Sequence, residues 1–87
     1  MASELLLDTG ALVSLLDRSQ RRHREFTDSF ESWTGQVVTT EAVLTESTHL
    51  LGRIAGGAIA CLDVVLSGGA LLVPATANSL RRARDLM

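Results

Sequence analysis

Three carboxylates could hold a cation: Asp8 and Glu41, where apolar stretches give way to helical ones, and Glu46, on the helix that Glu41 begins. A hard divalent cation such as Mg²⁺ or Mn²⁺ takes oxygen ligands, chiefly carboxylates, carbonyls and water. Asp8 follows the apolar run Leu5-Leu6-Leu7, and in an open parallel sheet ligands bind outside the carboxyl ends of the strands. That position makes Asp8 a candidate metal ligand; it also suits an aspartate that caps the helix after it, and the pattern leaves both roles open. Glu41 and Glu46 fall on one predicted helix and point about 140° apart, so only one of them can face a common site. Glu46 borders the apolar stripe of that helix and is the better candidate, the alternative being an exposed salt-bridge residue. Glu41 sits in the first turn, where the helix dipole already favours a negative charge.

Other residue types are less pointed. Arg18, Arg21, Arg22 and Arg24 form a basic cluster able to meet RNA phosphates or an acidic protein segment, but Glu25, Asp28 and Glu31 follow at once and a solvated helix face is the simpler reading. His23, His49 and Cys61 lack zinc-ligand spacing. Gly56-Gly57 is not followed by Lys-Ser, and no glycine-rich turn follows the first strand, which argues against P-loop and dinucleotide-binding sites. Cys61 reads as a buried thiol and Trp33 as a core or interface anchor.

The elements that must position these groups follow from periodicity. Leu5 to Leu7 make a short continuous apolar run, the profile of a strand buried on both faces, and a helix runs from about Gly10 to Leu16 with Leu12, Val13, Leu15 and Leu16 on its buried side. After a polar break at 17–20, Phe26, Phe30 and Trp33 recur at helical spacing up to Gly35. Residues 36–39 suit a second strand. Thr40 opens a helix whose stripe is Val43, Leu44, Leu50, Leu51 and Ile54, with Ser47 inside it. An apolar helix from about Ala58 to Leu66, a third strand over 70–73 and a last helix after Thr76 complete the order βααβααβα. In that last helix Leu80, Ala83 and Met87 share one side, and Arg81, Arg82 and Asp85 face solvent. Short apolar strands alternating with helices predict an α/β fold, a small three-layer sandwich with a parallel sheet, as one unit over residues 1–87.

Composition sets the remaining bounds. The 87 residues carry a net charge of −2, so attraction to nucleic acid must be local or metal-borne. Hydrophobic residues make up 46% of this short chain, and mean hydropathy is positive; the excess implies apolar surface meant for covering, by a partner or by a further segment. One cysteine builds no disulfide framework, no signal peptide is apparent and no apolar run approaches the roughly 20 residues of a membrane span. A cytoplasmic protein is expected.

Two blocks carry a family resemblance. Leu5-Leu6-Leu7-Asp8-Thr9-Gly10-Ala11-Leu12-Val13 resembles the opening strand and helix of PIN-domain ribonucleases. Thr39-Thr40-Glu41-Ala42-Val43-Leu44-Thr45-Glu46, followed by Leu50-Leu51, resembles the block around that family's second acidic residue, with Glu46 at the matching position. The resemblance implies metal-dependent cleavage of RNA, commonly by the toxin of a toxin–antitoxin pair, with Mg²⁺ or Mn²⁺ held by clustered acids of which Asp8 and Glu46 would be two. An antitoxin protein and pairing of the domain into homo-oligomers are implied as partners. The family's other acids lie on a helix beyond the last one here, so the chain is expected to be the N-terminal portion of one such domain, inactive alone. A remnant that binds proteins through its apolar surface is the alternative. The Asp8-Thr9-Gly10 triplet is also similar to the active-site loop of retroviral-type aspartic proteases, but those enzymes are nearly all β, and the helical periods here oppose that reading.

Overall fold

A computed structural model describes residues 4–74 and 76–86. Its elements, in order, are β1 (Glu4–Leu6), α1 (Thr9–Leu16), α2 (His23–Ser32), β2 (Gln36–Thr40), α3 (Glu41–Leu51), α4 (Gly57–Leu66), β3 (Leu71–Val73) and α5 (Ala77–Leu86). The three strands form one parallel sheet in the order β1-β2-β3, so the predicted α/β architecture and element order hold.

The register decides which side chains share a face. Leu5 pairs with Val37, Leu6 with Val38 and Val38 with Leu71. Side chains alternate along each strand, so Leu5, Leu7, Val37, Thr39, Ala70 and Leu72 project to one side and Leu6, Val38, Leu71 and Val73 to the other. The first side carries the core: Leu7, Val37 and Ala70 cluster with Leu12 of α1, Leu51 of α3 and Cys61 of α4, and Phe30 of α2 packs against them. Sheet order increasing in one direction explains this, because right-handed crossovers from β1 to β2 and from β2 to β3 place their helices on the same face. Val38 and Val73 are buried yet lie outside that cluster. Elsewhere on the sheet, α5 packs on β1.

Several expectations are corrected. The strands are not all buried on both faces: Leu5, Leu71 and Leu72 are 36%, 48% and 39% exposed, whereas Val37, Val38 and Thr39 are buried. Among the described residues only β2 has a strand on each side, with β1 and β3 at the edges. The second helix stops at Ser32 instead of running to Gly35. Trp33 turns into extended backbone as its C-cap, and its indole Nε1 donates to the Gln36 carbonyl at 3.3 Å. The third helix ends at Leu51, short of Ile54, because the chain tightens into turns in which Gly52 N donates to His49 O and Ile54 N to Leu51 O. Leu50 drops out of the buried stripe at 40% exposure, while Ser47, a polar residue within it, is fully buried.

The α3–α4 junction depends on two glycines. Gly56 caps α4 with φ of 75°, a left-handed conformation that side chains resist. Gly57 is buried, and a methyl group there would overlap the Leu51 carbonyl oxygen. Ala77 opens α5 directly after Thr76, whose carbonyl accepts from Leu80 N at 2.9 Å. The expected roles of Arg82, Ala83 and Met87 fall on side chains outside those described. No helix among the described residues is long and apolar enough to cross a membrane.

Candidate functional site

Asp8 occupies the N-cap of α1. Its backbone is extended, and Oδ1 accepts from Ala11 N at 2.8 Å, while its carbonyl takes the first helical hydrogen bond, from Leu12 N. One of the two roles left open is thereby settled: Asp8 caps the helix. The cap uses one oxygen. Among the described residues Oδ2 has no hydrogen-bond partner, and the side chain is exposed, so the same carboxylate has an oxygen to offer a cation.

The strand end that carries Asp8 is fixed from β2. Leu7 N donates to Val38 O at 2.8 Å, and the fully buried Thr39 donates its Oγ1 proton to Leu7 O at 2.9 Å. The peptide immediately before Asp8 is therefore held to the central strand by a backbone and a side-chain bond. Reading the sequence did not single out Thr39; the available signal was a β-branched hydroxyl ending an apolar strand, where burial demands a partner for it. The next residue, Thr40, caps α3 by accepting from Val43 N at 3.2 Å. Both α1 and α3 thus begin at the carboxyl edge of the sheet, and they pack against each other.

Glu46 lies on the exposed side of α3, five residues and so about 8 Å along the helix from Glu41. With Glu41, Ala42, Thr45 and His49 it lines a shallow concavity that does not include Asp8. The two predicted site residues thus stand at the start of α1 and on α3, helices that pack together, but the concavity beside Glu46 is not one that Asp8 lines. Glu41, set aside as a first-turn residue, shares the concavity with Glu46. As donors, two carboxylates suit Mg²⁺ or Mn²⁺, but they are few: no group of three or more His, Cys, Asp or Glu positioned for a metal ion occurs among the described residues.

The most buried carboxylate is one the sequence reading passed over as part of a polar break. Asp17, the C-cap of α1, is 5% exposed. Its Oδ1 accepts from Ser19 N at 2.9 Å and Ser19 Oγ at 2.7 Å, and its Oδ2 from Gln20 Nε2 at 3.2 Å. Arg53 Nη2 stands 3.8 Å away. The Ser19 hydroxyl bond first, then the Ser19 amide, Gln20 and the Arg53 charge, hold its pKa below the ordinary aspartate value. These contacts join the α1–α2 and α3–α4 turns, so Asp17 is a structural tie. His23 is another: its Nδ1 lies 2.8 Å from the Ser14 carbonyl, which can only accept, so that nitrogen carries the proton. Arg22 pairs bidentately with Glu25, at 2.7 and 3.0 Å, and stacks over Phe26. Cys61 is fully buried beside the Thr48 hydroxyl.

No protein-family model and no curated protein matches the chain.

Proposed function

We propose that the chain carries part of a metal-dependent ribonuclease site of the PIN type, with Asp8 and Glu46 as its metal-binding carboxylates and Mg²⁺ or Mn²⁺ as the ion. The observation that supports this reading is the free oxygen of Asp8 at the carboxyl end of a strand whose last peptide is tied to β2 by Thr39, beside the helix that bears Glu46. When bound, such an ion lowers the pKa of a water ligand and offsets charge developing on a phosphodiester oxygen. The protein's share is positional. Asp8 is aimed by its own cap bond, Thr39 fixes the strand behind it, and Glu46 adds a second charge from the neighbouring helix. An acidic pair repels RNA phosphates until a cation neutralises it, so the ion also conditions substrate approach. Two protein donors give weak metal binding, and cleavage by this chain alone should be slow or absent. RNA as substrate, an antitoxin as partner and a place as the toxin of such a pair belong to the same proposal.

Titration of Mn²⁺ followed by electron paramagnetic resonance tests the site directly. Weak binding is expected for the wild type and a loss of about tenfold or more for Asp8→Asn or Glu46→Gln; binding indifferent to both variants refutes the assignment. Any RNA cleavage must also vanish with EDTA and in both variants.

A second reading has its own observation. Ile59, Leu62 and Leu66 on α4 are 68%, 42% and 80% exposed, an unshielded apolar row at spacing i, i+3, i+7. It favours a catalytically silent domain that pairs through α4.

A further inference from the structure

Arg18 and Arg21 stand in the turn between α1 and α2, and Arg53 in the turn between α3 and α4. Asp17 ties the two turns, since it closes α1 next to Arg18 and its Oδ2 lies 3.8 Å from Arg53 Nη2. We propose that Arg18, Arg21 and Arg53 form a metal-independent anchor for the phosphodiester backbone of single-stranded RNA. The choice of RNA among polyanions rests on the ribonuclease reading.

Charge accounting isolates this patch from the other basic residues. Arg22 is neutralised by Glu25, and Arg24 has Asp28 one turn along its helix. Arg18, Arg21 and Arg53 are exposed. The carboxylate nearest Arg53 is Asp17, which is almost fully buried and already accepts three hydrogen bonds; it steers Arg53 but presents little negative charge to solvent. Glu31 shares a groove with Arg18 without an ion pair between them. Local positive charge therefore stands out on a chain whose net charge is −2.

The chemistry of the patch selects its partner. Residues 18–25 and 52–56 expose no large apolar side chain, so the buried anchors that dominate protein interfaces are missing there. Guanidinium groups on turns that expose no large apolar side chain of their own suit an oxyanion lattice, bound by charge and bidentate hydrogen bonds. Placement adds a geometric argument. Asp8 caps one end of α1 and Asp17 the other, about 13 Å apart along the axis at roughly 1.5 Å per residue. Likewise α3 begins at the carboxyl edge and Arg53 follows its far end. RNA held at the arginines would thus reach the acidic end along the two helices, away from the repulsion of the carboxylates.

The test is equilibrium binding of a fluorescently labelled single-stranded RNA in EDTA, measured by anisotropy over a range of salt concentrations with the whole chain. Arg18→Gln/Arg21→Gln/Arg53→Gln should weaken binding about tenfold or more and reduce the magnitude of the log K against log[salt] slope by about 2. Asp8→Asn and Glu46→Gln should not lower RNA affinity in EDTA, which separates this result from the metal titration. If the triple variant is unfolded by circular dichroism, Arg21→Gln alone, which removes no ion pair among the described residues, should reduce the slope by about 0.7. Unchanged affinity and slope in a folded variant overturn the proposal. Equal competition by polyglutamate of matched charge overturns it as well, by showing a surface for acidic protein instead of phosphate.

Discussion

At Asp8 the two roles raised by its position turn out to be compatible, and chemistry offers a way to separate them. Asparagine caps a helix about as well as aspartate, whereas alanine does not. Asp8→Asn should therefore keep stability within a few tenths of a kcal/mol and lose the metal affinity, while Asp8→Ala should lose both, with about 1 kcal/mol of stability. Denaturant melts set beside the Mn²⁺ titration check this, and an Asp8→Asn protein that binds metal normally would leave only the cap. Asp17 calls for a different measurement. Its pKa is lowered in the fold, so the unfolded chain takes up its proton first as pH drops. The stabilisation is complete above about pH 4, the ordinary aspartate range, and is lost as pH falls from there through the lowered folded value. Wild-type stability should fall more steeply than that of Asp17→Asn over this interval; parallel pH profiles would remove Asp17 from the list of ties.

Among the elements, the α3–α4 junction makes the sharpest demand on sequence. A methyl at position 57 meets the Leu51 carbonyl oxygen, a backbone atom that cannot rotate away, so Gly57→Ala should cost about 1 to 3 kcal/mol in thermal or denaturant unfolding. A neutral result would mean the junction relaxes freely. Much of the element order was legible because apolar runs and helical stripes differ in period, and Asp8, Thr40 and the glycine pair marked junctions that the structure retains. What was not legible depended on neighbours. Whether Leu5 or Leu72 is buried turns on which strands are edges, and whether Leu50 faces the core turns on where α3 stops, neither of which is written in local period. Thr39 and Asp17 went unnoticed for a related reason: each acts through a partner that only the folded chain brings near, Leu7 for one and Arg53 for the other. Asp8 and Glu46 belong to elements that pack together, yet the concavity that Glu46 lines does not include Asp8, because sharing a sheet edge does not by itself bring two side chains into one cavity.

For the whole molecule, the apolar excess visible in composition has a location. Most of it sits on the edge strands and on the outward side of α4, where Ile59, Leu62 and Leu66 lie in one row, with Leu50 and Leu80 exposed elsewhere. Exposed rows of this kind favour association. Sedimentation velocity should show a concentration-dependent shift beyond the monomer, removed by Ile59→Glu/Leu66→Glu without loss of helical circular dichroism; a wild type that stays monomeric at high concentration would oppose pairing through this helix.

The all-parallel sheet also bears on how the chain acquires its structure. The bond between Thr39 and Leu7 joins residues 32 apart, and β3 is just as remote from β2, so no hairpin exists to start the sheet locally. A long loop must close before any strand contact repays it, which places the kinetic barrier at the docking of β2. During synthesis Leu5, Leu6 and Leu7 emerge well before the strand they pair with, and until β2 follows the ribosome carries an unmatched apolar strand, a natural client for a chaperone.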